Sequence, residues 1–362
     1  MIEDKILIKS QQGEYSVYFL HEILELEKLL GTSNDEIFII ADKNVWEIFK
    51  ESLIKIKHSH LLLLDANEDT KTMEGVTSVL SWLSQNGATK SSIVLAIGGG
   101  VIQDLATFTS HIYFRGIKWR YVPTTLLSQA DSCIGAKCGI NLRSHKNQIG
   151  VLHSPSEVYV VEQFLKTLPM EELQSGFGEI YKLSVTGPGN FFEILKKSLK
   201  NNGVSTNNII DLIRLSLISK KHIIEEDEYE KNIRRILNYG HSFGHALESV
   251  TKNAVTHGYG VLFGMDLINY LGVKWNLTSK NFYLEFKSLI RTFFSDYKIP
   301  VSITAENLLK EVAKDKKILN GKMNFAVLVS PGNLVIVEKD LDDTLEAHVS
   351  DYLLNESIFR IN

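Results

Sequence analysis

Short apolar segments alternate with helix-like stretches over the first part of the chain. Residues 5–8 and 15–19 read as the strands of a hairpin with Gly13 in its turn. Segments 37–41, 61–64, 93–97 and 119–122 follow, the inner ones β-branched or Leu-rich without polar alternation. That composition suits parallel strands covered on both faces. Between them, 44–52 and 73–85 carry helical spacing. The rhythm predicts a doubly wound α/β nucleotide-binding domain over residues 1–165.

Beyond about residue 165 strand signals nearly vanish. Amphipathic stretches at 170–185, 191–199, 208–225, 232–250, 261–271 and 281–297 predict helices, and after Pro300 a small hairpin is expected from 323–329 and 334–338. Residues 166–362 therefore read as a mainly α-helical second domain. No repeat, low-complexity tract or Pro/Ser-rich linker intervenes, so the two domains are expected to share a tight cleft. Ligands of open α/β sheets bind at strand C-termini, which directs attention to that side.

Composition narrows the function classes. With 362 residues, 44% hydrophobic, 6 Pro and 24 Gly, the chain falls in the ordinary globular range, against long disorder or coiled coil. A formal net charge of −4 is too balanced for a general nucleic-acid or anionic-membrane surface, so any anion site must be local. The longest apolar runs, 61–64 and 93–97, fall far short of the roughly 20 residues of a membrane helix. The first five residues are acidic and strand-like, unlike a signal peptide. With Cys133 and Cys138 alone, a reduced, cytoplasmic protein with two small buried thiols is expected.

Candidate chemistry begins after segment 93–97, where Gly98-Gly99-Gly100-Val101-Ile102-Gln103-Asp104 opens a helical stretch. Glycines at such a turn let the backbone approach a pyrophosphate held by the helix N-terminus. Gln103 stands where the strict fingerprint has its third glycine. Asp42-Lys43-Asn44 and Thr124-Thr125 follow neighbouring strands, and three polar loops on one sheet edge point to a dinucleotide.

A second signal runs from Arg234 to His245. As one continuous helix it would place Arg234, Asn238, His241 and His245 within an arc of roughly 60°. Two His one turn apart suit a divalent metal, but Ser242 stands where a metalloprotease helix has its Glu. Glu179 is a candidate for the missing carboxylate and His257 for a further imidazole. Candidate anion-binding residues are Lys137, Lys146 with Asn147, Arg115, Lys220, and Lys316 with Lys317. Cations in such loops match a phosphorylated, carboxylated small molecule.

In chain order, Gly98 to Val101, Pro123 to Leu127, Lys146-Asn147, Lys166-Thr167-Leu168-Pro169, Glu179 with Lys182, and Leu237 to His245 resemble the sugar phosphate cyclases and, within them, the 3-dehydroquinate synthase family. The resemblance implies a nucleotide-binding domain, a helical domain and a homodimer. It implies Glu179, His241 and His257 as ligands of a divalent metal, zinc or cobalt. It implies NAD contacts from Asp42, Asn44, Glu68, Lys71, Gly99, Gly100, Asp104, Thr124, Thr125, Lys146 and Thr167. Lys182, Lys220, Asn238 and His245 resemble the catalytic set. Asp131, Lys137, Asn147 and Arg234 resemble substrate-binding residues, with Lys316 or Lys317 as a late substrate lysine. Arg115 resembles an arginine that reaches the neighbouring subunit's site.

The chemistry implied is redox-neutral. NAD transiently oxidises a secondary alcohol of 3-deoxy-D-arabino-heptulosonate 7-phosphate, phosphate leaves, the hydride returns, and an aldol step closes the ring. Gln103, Thr107, Ala136, Cys133 and Cys138 depart from the family pattern. The first two are expected to crowd the pyrophosphate turn and its helix. Alternatives are a cyclase for an uncarboxylated sugar phosphate such as sedoheptulose 7-phosphate or glucose 6-phosphate, a metal- and NAD-dependent polyol dehydrogenase, and an inactive homologue serving as a binding protein.

Overall fold

The computed structural model describes residues 4–31, 35–143, 145–206, 208–294, 297–314 and 322–361. The chain divides into two compact units, Met1–Pro169 with Asn208–Ile213, and Met170–Asn207 with Arg214–Asn362.

The first unit opens with β1 (Lys5–Ser10), β2 (Gly13–Leu20) and α1 (Ile23–Gly31). Then come β3 (Ile37–Asp42), α2 (Lys43–Ile48), α3 (Lys50–Leu53), β4 (His60–Leu64), α4 (Met73–Gln85), β5 (Ile93–Gly98), α5 (Gly100–Ile112) and β6 (Lys118–Pro123). A hairpin, β7 (Lys137–Leu142) and β8 (His145–Leu152), precedes β9 (Glu157–Val161). The main sheet has the order β1-β2-β9-β6-β5-β3-β4, antiparallel at β1/β2 and parallel elsewhere. From β3 the chain moves out to β4 and returns to β5 on the other side, so the winding reverses between β3 and β5. Side chains of β3 and β5 are buried on both faces, which explains their lack of polar alternation. Leu26, Leu30, Trp46, Leu53 and Phe164 belong to one core with Ile37, Ile39, Leu95 and Ile97. Val76, Leu105, Phe108, Cys138 and Ile140 form another.

The stretch expected as one helix over 44–52 is two short helices, parted at Phe49 (φ −109°, ψ 19°), whose ring packs edge-on against Phe164 at 5.0 Å. Three strands that the sequence pattern does not predict, β7, β8 and β9, are formed. The sheet-like character of β7 and β8 is hidden by their polar composition, and they pair with each other rather than with the main sheet.

The second unit comprises α6 (Met170–Thr186), α7 (Phe191–Asn202), α8 (Ile209–Glu226), α9 (His241–Val250), α10 (His257–Lys274), α11 (Lys280–Phe294), β10 (Lys298–Ile299), α12 (Ala305–Val312), the hairpin β11 (Lys322–Ser330) and β12 (Asn333–Asp340), α13 (Asp343–Asp351) and β13 (Arg360–Ile361). The first residues of α8 belong to the other unit. Helix α10 is buried from Gly258 to Gly272, consistent with a helix apolar on nearly every side. Its glycines admit neighbouring backbones. A Cβ at Gly258 would stand 1.7 Å from Ser175 O on α6, and one at Gly264 would stand 1.8 Å from Gly240 O. Among the described residues no helix is long and apolar enough to cross a membrane.

The continuous helix expected over 232–250 is not formed. A 3₁₀ turn, Ile233–Asn238, ends before Tyr239, and Gly240 (φ 78°) turns the chain into α9. A Cβ at Gly240 would also lie 2.6 Å from Met265 Cγ and 2.8 Å from Val261 O. Both the left-handed backbone and the approach of α10 therefore require glycine here. Arg234 and Asn238 consequently do not share a helix face with His241 and His245.

Candidate active site

Three helices of the second unit bring Glu179 (α6), His241 and His245 (α9) and His257 (α10) together. Oε1 of Glu179 is 3.0 Å from His257 Nε2 and 3.5 Å from His241 Nε2. Ligands about a tetrahedral zinc with bonds of 2.0–2.1 Å lie about 3.3 Å apart, so these separations suit one ion. The three imidazoles have donor atoms within 4.8 Å of one another. His245 is exposed, while Glu179 is 1% exposed.

The outer ring nitrogens are also occupied. His241 Nδ1 donates to Tyr239 O at 3.1 Å, and His257 Nδ1 lies 2.9 Å from Glu248 Oε1. Holding Nδ1–H on an acceptor leaves the Nε2 lone pair for a metal. Burial, reinforced by nearby Lys182, pushes the His241 imidazole down, favouring the neutral ring a ligand needs. Burial pulls Glu179 the other way, yet Lys182 and the two imidazoles hold its carboxyl well below the usual range. His257 is raised to about 10, because Glu179 and Glu248 outweigh its burial.

Lys182, one turn after Glu179 on α6, is buried and pairs with Glu179 Oε2. Arg234 is 3% exposed, with Nη1 donating to Glu228 O and its backbone N–H donating to Asp227 Oδ2 at 3.1 Å. Asp227 also accepts from the backbone of Lys231 and Asn232, so one carboxylate shapes the loop that carries Arg234. Asn238 Nδ2 donates to Glu230 Oε1 at 2.5 Å. Lys220 is buried on α8. Lys316 and Lys317 lie outside the described residues.

In the first unit, Lys71 Nζ sits 3.2 Å from Glu68 Oε1, 3.2 Å from Asp104 Oδ2 and 2.8 Å from Asn147 Oδ1. Burial would lower the Lys71 ammonium, but Asp104 and Glu68 outweigh it and raise it. Burial pushes Asp104 up to about 6 against the pull of Lys71. Asn141 ties the group together, donating to Glu68 Oε1 at 2.8 Å and accepting from Asn147 N at 2.9 Å. Asp104, Lys137, Cys138, Gly139, Asn147 and Gly150 line a pocket of about 670 Å3.

The loops after β3, β5 and β6 carry the remaining candidates. Asp42 caps α2, its Oδ1 accepting from Asn44 N at 2.8 Å. Gly99 caps α5 without a side-chain bond, and a Cβ at Gly100 would meet nothing within 4 Å. Among the described residues Thr124 Oγ1 is buried without a partner, whereas Thr125 Oγ1 shares a 2.8 Å bond with Ser128 Oγ. A bare helix start, an open glycine and an orphaned hydroxyl at the winding reversal fit a dinucleotide. Lys146 is exposed on β8, and Thr167 Oγ1 donates to Phe164 O at 3.4 Å. Asp131 is buried in the turn Ser128–Ser132, and Arg115 (φ 61°) lies exposed on a left-handed turn with Phe114 (φ 48°).

The departures have local explanations. Gln103 exchanges hydrogen bonds with Ser132, and Thr107 Oγ1 donates to Gln103 O at 2.7 Å. Their polar groups are thus engaged with Ser132 and within α5, the helix that follows the glycine turn. Ala136 adopts φ 60°, a conformation glycine takes more readily. Both thiols are buried, and burial pushes that of Cys138 up. Glu248, Asn141 and Asp227 were not singled out in the sequence. Glu248 follows His241 by seven positions on the same face of α9, the one signal that could have marked it.

Family models bear on the same segments. The model for the 3-dehydroquinate synthase N-terminal part matches residues 61–175, and the model for its C-terminal part matches 176–318. A 3-dehydroquinate synthase of Alkaliphilus metalliredigens (strain QYMF) is 34% identical over 336 residues, 91% of this chain and 94% of that protein. The fold is shared with 2-deoxy-scyllo-inosose synthase complexed with carbaglucose-6-phosphate, NAD+ and Co2+, at a TM-score of 0.86 and 23% identity over 96% of this chain and 98% of that one. It is shared also with 2-epi-5-epi-valiolone synthase from Streptomyces hygroscopicus subsp. jinggangensis 5008 with NAD+ and Zn2+ bound, at 0.83 and 24% over 94% and 97%. With both halves matched in order and a relative of that identity spanning nearly the whole chain, this protein belongs to the 3-dehydroquinate synthase family.

Proposed function

We propose that the chain is a metal- and NAD-dependent lyase converting 3-deoxy-D-arabino-heptulosonate 7-phosphate to 3-dehydroquinate and phosphate. The observation that carries this reading, beside family membership, is the convergence of Glu179, His241 and His257 with both outer imidazole nitrogens held by acceptors. When bound, NAD supplies a transient oxidation and the returning hydride, and the divalent metal, zinc or cobalt, polarises the oxygens at and beside the reacting carbon.

The residues divide by chemistry. Glu179, His241 and His257 hold the metal, and Lys182 keeps the Glu179 carboxylate charged. Arg234 offers a planar fork for a substrate carboxylate, an interaction Lys reproduces poorly. Lys137 and Asn147 give the pocket beside Asp104 a polar lining for a phosphorylated ligand, and Asp131 is a further substrate-binding residue. Lys220, Asn238 and His245 complete the catalytic set, with Lys316 or Lys317 as a further substrate cation. Asp42, Asn44, Glu68, Lys71, Gly99, Gly100, Asp104, Thr124, Thr125, Lys146 and Thr167 take NAD. Residues 1–165 are the NAD-binding domain and 166–362 the metal- and substrate-binding domain. The active form is a cytoplasmic homodimer in which Arg115, exposed on its strained turn, reaches the neighbouring site; its exposure supports this reading.

One assay tests the whole reading. The protein is incubated with NAD, Zn2+ and, separately, the heptulosonate phosphate, sedoheptulose 7-phosphate and glucose 6-phosphate, while phosphate and NADH are followed. Phosphate released from the first, with net NADH near zero, is expected. Preference for an uncarboxylated sugar would select a divergent cyclase, and stoichiometric NADH a polyol dehydrogenase.

A further inference from the structure

We propose that Glu248 is a positioning residue of the metal centre, fixing the His257 ring through Nδ1 so that Nε2 faces the ion. This rests on the reading above that Glu179, His241 and His257 hold a metal. His257 is the first residue of α10, and its side chain is 34% exposed. Thr256, which precedes it, makes no side-chain capping bond. His241, in contrast, lies deeper and is oriented by a backbone carbonyl, Tyr239 O.

At Nδ1 this less buried ligand is held by the 2.9 Å contact from Glu248 Oε1. Glu248 is on α9, seven positions after His241, so the helix that supplies one ligand also braces another. Its own side chain is 14% exposed and closely seated: a Cβ on Gly260 would come 3.2 Å from Glu248 Oε1 and 3.4 Å from its Cγ. The glycine of α10 therefore leaves the space this carboxylate occupies. An acceptor at Nδ1 selects the tautomer with its lone pair on Nε2 and fixes the plane of the ring. Removing it should weaken the ion without removing any ligand.

The test measures metal affinity directly. Wild type, Glu248→Ala, Glu248→Leu and Glu248→Gln are stripped of metal and titrated with Zn2+ against a chromophoric chelator. Loss of the acceptor in the Ala variant should raise the Zn2+ Kd by about 10–100-fold. Gln, which retains a carbonyl acceptor, should recover most of that affinity. Visible spectra of the Co2+-loaded proteins should change in Ala and Leu and stay close to wild type in Gln, while the melting temperatures of the metal-free proteins remain alike. Should Ala fail to fold, the volume-conserving Leu variant gives the same comparison. An Ala or Leu variant with wild-type Kd and Co2+ spectrum would overturn the proposal. His241→Ala separates the two readings: weak binding there with wild-type affinity in Glu248→Ala rejects the positioning role alone, whereas tight binding in His241→Ala rejects the metal centre itself.

Discussion

Gln103 and Ser132 exchange two hydrogen bonds of 2.6 Å: the Gln103 amide donates to Ser132 O, and Ser132 Oγ donates to Gln103 Oε1. The pair joins α5 to the turn that carries Asp131, at the position where the family pattern has glycine. Gln103→Ala removes both bonds and leaves a part-buried carbonyl unanswered, at a cost of about 1–3 kcal/mol. Urea denaturation should show the loss, and an unchanged midpoint would rule out this role for the pair.

The metal centre should depend on each of its imidazoles. His241→Ala and His257→Ala should each lose tightly held metal, and phosphate release should fall on the order of a thousandfold, the equivalent of several kcal/mol of charge stabilisation. Chelation of the wild type should abolish turnover, and added Zn2+ or Co2+ should restore it. Full occupancy and normal rates in both variants would exclude this ligand set.

In the proposed reaction Arg234 is assigned to the substrate carboxylate. Its truncation to Ala should cost on the order of 2–5 kcal/mol in kcat/KM for the carboxylated heptulosonate, since a buried carboxylate would lose its partner. Because Arg234 Nη1 also donates to Glu228 O, Arg234→Lys serves as the control for loop structure. The Lys variant should fold normally and still lose most of the rate. An unaltered rate in either variant would remove Arg234 from carboxylate recognition.

Asp266 lies fully buried on α10, accepting from Tyr352 OH at 2.7 Å, and burial pushes its carboxyl up to about 7. A carboxyl with a raised folded pKa binds its proton more tightly in the folded state, so stability from this group is present at low pH and lost as pH climbs from about 4 to about 7. Against Asp266→Asn, which does not titrate, the wild type should lose on the order of 2–4 kcal/mol across that window. Denaturation of both proteins at pH 5 and pH 8 checks this, and equal pH dependence would contradict it.

The inner strands, the glycine turn after β5 and most helices of the second unit could be read directly because their signals are local. Runs such as 93–97 record burial on both faces, and helical spacing records one buried side. The resemblance added a ligand set at Glu179, His241 and His257, whose side chains lie 3.0 and 3.5 Å apart in the structure. Less legible were β7 and β8, whose strand character comes from pairing with each other, and Asn141, which binds partners more than seventy positions away only because α4 and β7 meet.

The break at Gly240 shows where local reading ends. Periodicity through Arg234, Asn238, His241 and His245 satisfied a helix as well as it satisfied the true arrangement, because a pattern of side-chain types does not register the sign of one φ angle. Glycine is demanded there by α10 as well, whose backbone at Val261 and side chain at Met265 occupy the space a Cβ would need. The same helix brought His257 to Glu179 and Glu248, residues on two other helices. The sequence by itself thus determined the inner strands, most of the helices and the chemical groups they carry. Only the packed helices, approaching through glycine at Gly258 and Gly264, decided which of those groups meet, because that depends on distances between backbones remote in the chain.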